Sequence, residues 1–229
     1  MDQSKIRVIS IDDHHVTRAG LKALLAAEPD IEVVGEGWVG DHLTERVRQH
    51  RPDVVLLDLK MKQSENDDET RFAALPTIRD LHQQYPEICF IVVSAYIDLT
   101  IVHGAFEKGV RGYVLKDDAY SLELGRAVRN AARGQLVLSQ AIQQEIVRAR
   151  RPDDAVNLTR RQREIILQLA TDLNASRESH AEALGITVST LENHLSNIYS
   201  VLGVANESAC IFKCLAYGVI SFESRYIGA

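Results

Sequence analysis

A single carboxylate at the end of a strongly apolar run is the first candidate for chemistry in this sequence. Asp58 follows Val54-Val55-Leu56-Leu57, four apolar residues without alternation, and Pro52 bounds the run on its other side. Such a run predicts a strand that is buried on both faces of a parallel sheet. Open α/β sheets bind ligands at the carboxyl ends of their strands, so Asp58 is expected at the mouth of a crevice. Taken alone, such an aspartate is more often a turn former or a helix cap.

Three other predicted strands also end in polar residues. Asp12 and Asp13 follow the first strand, Ser94 ends the fourth and Lys116 ends the fifth. Each could be a cap, a turn residue or a solvated lysine, but four such ends at one edge are improbable by accident. Three carboxylates form a hard oxygen site suited to Mg²⁺, and a lysine with a hydroxyl suits phosphoryl oxygens. The pattern predicts attack by one aspartate on a phosphoryl donor, with the metal neutralising charge.

Strands and helices are predicted to alternate along the first 133 residues and to carry these polar residues at the strand ends. Strands are predicted over residues 6–11, 31–34, 54–57, 88–94 and 109–116, and helices over 16–27, 41–50, 75–85, 98–108 and 119–133. The polar segment before residue 75 is expected to be a loop. Strands that alternate with helices predict an α/β fold, a doubly wound sheet of five parallel strands.

Composition restricts the location and the partners. No apolar run approaches the roughly 20 residues that span a membrane, and the first residues lack the pattern of a signal peptide. The three cysteines lack zinc or redox spacing, which indicates a reducing compartment without disulfides. We therefore expect a cytoplasmic protein with no membrane partner. The net charge of −6 gives no global attraction to nucleic acid, so any such partner must meet a local surface.

The second half of the sequence predicts a separate helical domain. Residues 134–157 are expected to be a connector that contains a helix over 139–148. Four short helices follow over residues 160–170, 176–184, 188–202 and 206–217, with Thr159 and Thr187 as caps. A glycine turn at Gly185 joins the second helix to the third, which is typical of a helix-turn-helix. The predicted division is residues 1–133, a linker 134–157, and an all-α four-helix domain 158–229.

The first 130 residues resemble the receiver domain of two-component response regulators. The Asp-Asp, Asp, Ser and Lys residues at the strand ends carry the resemblance, which implies a flavodoxin-like strand order. It also implies a role for each site residue: Asp58 as phosphoacceptor, Asp12, Asp13, Asp58 and the carbonyl of Lys60 as Mg²⁺ ligands, Lys116 as the acyl-phosphate contact, and Ser94 with Tyr113 as the switch. The segment after Asp58 departs from the family pattern, because Lys62 follows Met61 and residues 63–70 contain four acids and no glycine.

The second half resembles the LuxR/NarL-type DNA-binding domain. The matching segments are Leu158–Glu164, Leu184–Ile186, Asn193–Tyr199 and Leu202–Val204. The resemblance implies that helix 188–202 reads DNA and that the final helix commonly dimerises, although its apolar residues are equally expected to form the domain core. Helix 188–202 contains no lysine or arginine, and Glu192 stands where the family generally has a basic residue. The DNA contacts are then expected from base-reading candidates on this helix and from arginines near the first helix, namely Ser189, Thr190, Glu192, Asn193, His194 and Asn197, with Arg160, Arg161 and Arg163.

These observations predict a response regulator that controls transcription. A sensor histidine kinase would phosphorylate Asp58, and the chain would bind promoter DNA as a homodimer rather than act as an enzyme in the ordinary sense. The alternative is a protein-interaction regulator whose helix-turn-helix needs a partner subunit or no longer binds DNA alone. A phosphohydrolase is disfavoured because position 60, where such enzymes keep a second acid, is a lysine.

Overall fold

A computed structural model describes residues 5–116, 120–150, 156–222 and 227–228. Residue 119, the predicted start of the fifth helix, and residues 151–155 of the predicted connector lie outside the described residues. The elements of the first part, in chain order, are β1 (Ile6–Ile11), α1 (His15–Ala26), β2 (Ile31–Gly37), α2 (Gly40–His50), β3 (Val54–Leu57), β4 (Lys62–Ser64), β5 (Asp67–Arg71), α3 (Ala74–Gln84), β6 (Cys89–Ser94), α4 (Leu99–Glu107), β7 (Gly112–Leu115), α5 (Tyr120–Ala132), β8 (Leu136–Leu138) and α6 (Gln140–Ala149). Those of the second part are α7 (Arg160–Leu169), α8 (Arg177–Ala183), α9 (Val188–Leu202), α10 (Glu207–Ala216) and β9 (Ile227–Gly228).

The main sheet has the strand order β2-β1-β3-β6-β7-β8-β9, and all of its pairings are parallel. Its first five strands are the predicted ones in flavodoxin-like order, which confirms the predicted fold class. The predicted count of five strands is wrong, because β8 and β9 extend the sheet beyond β7. Only three apolar residues, Leu136 to Leu138, form β8, and a run this short within a predicted connector does not indicate a strand.

The segment after Asp58 is also more ordered than a polar loop. Strands β4 and β5 form an antiparallel hairpin that pairs Lys62 with Arg71. The backbone N–H of Phe72 donates to the carbonyl of Met61 at 3.0 Å, and both of these side chains are buried. The hairpin is therefore closed at its base by two apolar anchors, which its polar sequence did not predict.

The two faces of the sheet are covered by different helices, which explains why β3 shows no alternation. Val54 and Leu56 pack in a cluster with α1 and α5, whereas Val55 and Leu57 pack with α2, α3 and α4. The second of these clusters continues without interruption into α7, α9 and α10. The sheet and the helix-turn-helix therefore share one apolar core.

Local signals define the four helices of the second part. Thr159 and Gln162 form a reciprocal capping box at the start of α7, and the Thr187 side chain accepts from the N–H of Thr190 at the start of α9. Both threonine caps were predicted. Helix α9 ends at Gly203, whose φ of 64° is readily adopted by glycine. Within the described ranges, no single helix is long and apolar enough to cross a membrane, and only α9 and α10 taken together, bent by 52°, would meet that criterion.

Candidate functional site

The parallel register brings the predicted phosphoryl site together at one edge of the sheet. Ile11 pairs with Leu57, so the residues after β1 and β3 lie side by side. The N–H of Asp58 donates to the carbonyl of Ile11 at 2.9 Å, and the N–H of Lys116 donates to the carbonyl of Ser94 at 2.8 Å. These backbone bonds extend the ladders past the strand ends and hold the site residues on neighbouring strands.

An ion cluster occupies the centre of this edge. Lys116 Nζ lies 2.5 Å from Asp12 Oδ2 and 2.6 Å from Asp58 Oδ2. Asp12 is almost fully buried and Asp58 is 7% exposed. Burial alone would lower the pKa of Lys116, but hydrogen bonds and charge from the two aspartates outweigh it and raise that pKa. The ammonium group therefore stays charged between two carboxylates that would otherwise repel each other.

The carboxylates also form a candidate metal centre. Each of Asp12, Asp13, His14 and Asp58 offers one ligand atom, and these atoms all lie within 4.8 Å of one another. Three carboxylates, with the backbone of Lys60 nearby, match the hard oxygen ligands that Mg²⁺ prefers. The backbone N–H of Lys60 donates to Asp58 Oδ1 at 2.9 Å, and this hydrogen bond holds the loop that carries Lys60 beside the site.

His14 belongs to this cluster, although sequence reasoning missed it. The ring nitrogen Nδ1 of His14 lies 2.7 Å from Asp13 Oδ1, and the backbone N–H of His14 donates to Asp12 Oδ1 at 2.8 Å. The only available signal was its position directly after Asp12 and Asp13. Histidine is not a preferred ligand of Mg²⁺, so we interpret its contact as one that orients Asp13.

The two predicted switch residues lie beside the ion cluster. Ser94 ends β6, and its Oγ donates to the carbonyl of Tyr96 at 3.1 Å. Tyr113 lies on the adjacent strand β7 and is 1% exposed, so its ring points inward. Burial raises the pKa of Tyr113, and a hydrogen bond with Ser94 opposes that rise. The hydroxyl groups of Ser94 and Tyr113 therefore lie close enough to interact with each other.

The predicted base-reading residues lie on the outer face of α9. Leu191, Leu195, Ile198 and Leu202 form its buried face. The polar candidates occupy the opposite face, with Ser189, Thr190, Glu192, Asn193 and Asn197 exposed and His194 half-buried. This division follows the helical period, so the predicted reading surface is open to solvent.

The three predicted phosphate-contacting arginines differ in their environment. The Arg160 side chain is 95% exposed and pairs with Glu164 at 3.1 Å. Arg161 donates to the carbonyl of Leu184 at 2.7 Å, so it fastens α7 to the turn before α9. Arg163 donates weakly to the carbonyl of Leu158 at 3.4 Å. Arg160 and Arg163 therefore remain the better candidates for phosphate contacts, while Arg161 mainly supports the fold.

A fourth arginine near α9 was missed by the sequence reasoning. Arg177, at the start of α8, places Nε 2.9 Å from Glu192 Oε1 and also contacts Glu207. Helical spacing could not indicate this pairing, because the three residues lie on three different helices.

Comparison with known proteins agrees with both halves of the structure. A family model described as the response regulator receiver domain matches residues 8–123. The transcriptional regulatory protein DegU of Brevibacillus brevis is 31% identical, with 95% of this chain and 96% of DegU covered. The response regulator VraR of Staphylococcus aureus is 29% identical, with 94% and 99% covered.

Solved structures show the same architecture. RcsB of Salmonella typhimurium shares 20% identity and a TM-score of 0.56 over 91% of this chain and 98% of RcsB, which indicates the same fold. A LuxR-family response regulator from Aurantimonas shares 25% identity and a TM-score of 0.55 over 63% of this chain and 97% of that one. Since the sequence relatives match nearly their whole length, the chain belongs to the two-component response regulators of the NarL/FixJ type, DNA-binding proteins that regulate transcription.

Proposed function

We propose that Asp58 is the phosphoacceptor of this regulator and that a sensor histidine kinase is its donor. The observation that carries the proposal is the position of Lys116 Nζ, within 2.6 Å of both Asp12 and Asp58 at the sheet edge. A partly buried ammonium group shared by two carboxylates is suited to receive the oxygens of a phosphoryl group that arrives between them. The chain would act in the cytoplasm, as a regulator rather than as an enzyme in the ordinary sense.

Each site residue would have a defined part in phosphoryl transfer. An oxygen of Asp58 attacks phosphorus, and the bond from phosphorus to the kinase histidine breaks. Asp12, Asp13 and the carbonyl of Lys60 would hold Mg²⁺, which supplies positive charge for the phosphoryl oxygens. Lys116 would then move from a carboxylate to a phosphoryl oxygen, since both are anionic acceptors.

The contacts of α4 support a structural connection between the phosphoryl site and the helix-turn-helix domain. Ser94 ends the strand that leads into this helix, and Asp98 caps it by accepting from the N–H of Thr100 at 2.9 Å. At the other end of α4, Asn206 Nδ2 donates to the carbonyls of Phe106 and Glu107 at 3.2 and 3.1 Å. Because Asn206 also caps α10, a shift of Ser94 and α4 would change the position of α10.

The output would be the binding of promoter DNA by a homodimer. The exposed polar face of α9 supports DNA binding by this chain over the alternative of a helix-turn-helix that needs a partner subunit. RcsB, which shares the fold, has been solved as dimers bound to DNA. Paired recognition helices read two half-sites about one helical turn apart, so a symmetric dimer is the form that fits duplex DNA.

The direct test is phosphoryl labelling of the purified full-length chain. Acetyl phosphate with Mg²⁺ should add one phosphoryl group, detected by intact-protein mass spectrometry, and Asp58→Asn should abolish the added mass. Asp80→Asn is the matched control, because Asp80 is an exposed aspartate on α3. Labelling that survives Asp58→Asn would contradict the assignment of the phosphoacceptor.

A further inference from the structure

The outer face of α9 carries one formal charge, and it has the same sign as DNA. Residues 188–202 contain Glu192 and no lysine, arginine or second acid. The Glu192 side chain is 53% exposed and shares its face with uncharged polar residues such as Ser189 and Asn193. A free carboxylate here would be repelled by the phosphates on both sides of the groove. Its charge therefore has to be offset if α9 is to enter a groove.

Arg177, on a neighbouring helix, offsets part of this charge. Its Nε lies 2.9 Å from Glu192 Oε1, and its guanidinium also contacts Glu207 of α10. The Arg177 side chain is 32% exposed, so water screens the pair less than it would a fully exposed one. Because two helices hold the guanidinium, Arg177 is fixed in position and in turn fixes the carboxylate of Glu192.

The contact with Arg177 leaves Glu192 able to accept further hydrogen bonds. Arg177 Nε contacts Oε1, the Glu192 side chain is 53% exposed, and a carboxylate has about four acceptor positions on its two oxygens. A carboxylate accepts hydrogen bonds but donates none. Among the base edges of the major groove, the amino group of cytosine is the donor typically paired with glutamate or aspartate. Glu192 lies in the first half of α9, and recognition helices contact bases with their N-terminal residues.

We infer that Glu192 reads a cytosine in the major groove and that Arg177 is the positioning residue that holds its carboxylate and offsets part of its charge. The inference rests on the proposed binding of DNA through α9. It identifies the type of base recognised at one position of each half-site. It also explains how a recognition helix without a cation approaches DNA, since Arg177 of α8 reduces the repulsion between Glu192 and the phosphates.

The test is selection of binding sites by the full-length chain from a random duplex library, followed by titration of the selected site. The selected half-sites should contain a cytosine whose replacement by thymine weakens binding about tenfold, the typical cost of one mismatched base pair. Glu192→Ala should remove this difference while other positions keep theirs. Glu192→Lys should weaken binding to the selected site and strengthen binding to random duplexes, because a cation there is attracted to phosphates.

Two further variants separate a positioning role from a structural one. Arg177→Gln should reduce the preference for cytosine several-fold at that one position, whereas a general loss of folding would weaken all positions equally. Glu145→Gln on α6, a partly exposed glutamate outside the helix-turn-helix, should change nothing. An unchanged cytosine preference in Glu192→Ala would overturn the inference for Glu192, and an unchanged preference in Arg177→Gln would overturn the role of Arg177. If the wild-type chain bound no duplex at all, the proposed DNA binding itself would be wrong.

Discussion

Phe106 of α4 stacks on Phe212 of α10, with their ring centroids 4.4 Å apart and their planes inclined by 10°. His103 packs edge-on against the same Phe212 ring at 5.0 Å. Phe212 belongs to the helix-turn-helix domain and packs against two residues of the receiver domain. It is therefore buried in the interface between the two domains, with 1% of its surface exposed. The sequence leaves open whether the apolar residues of α10 form a dimer face or the domain core. In the structure they are part of the core of a single chain.

Removing the Phe212 ring should destabilise the chain strongly. Phe212→Ala deletes a buried aromatic side chain and leaves a cavity between α4 and α10, for which the cost is about 3–5 kcal/mol of unfolding free energy. Urea unfolding followed by circular dichroism measures the change. Val201→Ala is the control, since Val201 is a 55% exposed apolar residue on α9, and its effect should stay within about 0.5 kcal/mol. Equal effects of the two substitutions would contradict the buried interface.

The raised pKa of Lys116 predicts a pH dependence of stability. When the folded state holds a lysine proton more tightly than the unfolded state, the resulting stabilisation is complete below the unfolded pKa of about 10.4. It is lost as pH rises through the higher folded value. Unfolding free energy should therefore fall above this pH more steeply in the wild type than in Lys116→Met. The control is Lys22→Met, because Lys22 is mostly exposed beside Glu36. Parallel pH profiles for wild type and Lys116→Met would refute the coupling of Lys116 to Asp12 and Asp58.

Gly134 should not tolerate a side chain. Its φ is +74°, and a Cβ there would lie 2.8 Å from the backbone nitrogens of Leu173 and Asn174. The N–H of Leu173 donates to the Gly134 carbonyl at 2.7 Å, so the two segments cannot separate without losing that bond. Gly134→Ala should cost about 1–3 kcal/mol, measured as a lower thermal midpoint.

A second glycine substitution serves as the control and is expected to raise the free energy of unfolding. Gly20 lies within α1 with no atom within 4 Å of an added Cβ. Because alanine favours a helix interior over glycine, Gly20→Ala should stabilise the chain by about 0.5–1 kcal/mol. A neutral result for Gly134→Ala, alongside this gain, would show that the contact with Leu173 and Asn174 is absent in solution.

Arg160 and Arg161 should affect DNA binding in different ways. Arg160 is almost fully exposed, so Arg160→Gln should reduce the slope of log affinity against log salt by about 0.9 if Arg160 contacts one phosphate. Arg161→Gln should instead lower the thermal midpoint, because it removes the donor to the Leu184 carbonyl. Titration of the selected duplex at several salt concentrations measures the slopes. Arg148→Gln on α6, another exposed arginine, should leave both quantities unchanged, and an unchanged slope in Arg160→Gln would exclude Arg160 from the phosphate contacts.

The first five strands of the main sheet, and the polar residues at their ends, can be predicted from local sequence patterns. Unbroken apolar runs indicate strands buried on both faces, and a parallel sheet aligns the carboxyl ends of its strands. Asp12, Asp58, Ser94 and Lys116 are therefore grouped at one edge by the order of residues along the chain. Capping side chains such as Thr159 and Thr187 also act over three residues, which makes the start of a helix readable from local sequence.

The partners that these elements meet depend instead on contacts between distant parts of the folded chain. The three residues of β8 form a strand because β7 offers an unpaired edge beside them, and so short an apolar run carries no such information alone. The pairing of Arg177 with Glu192 and the stacking of Phe106 on Phe212 join residues that are distant in sequence. Apolar periodicity indicates that a face is buried but not what covers it, so neither the shared core of the two halves nor the ion pair of Glu192 on α9 could be predicted from local sequence.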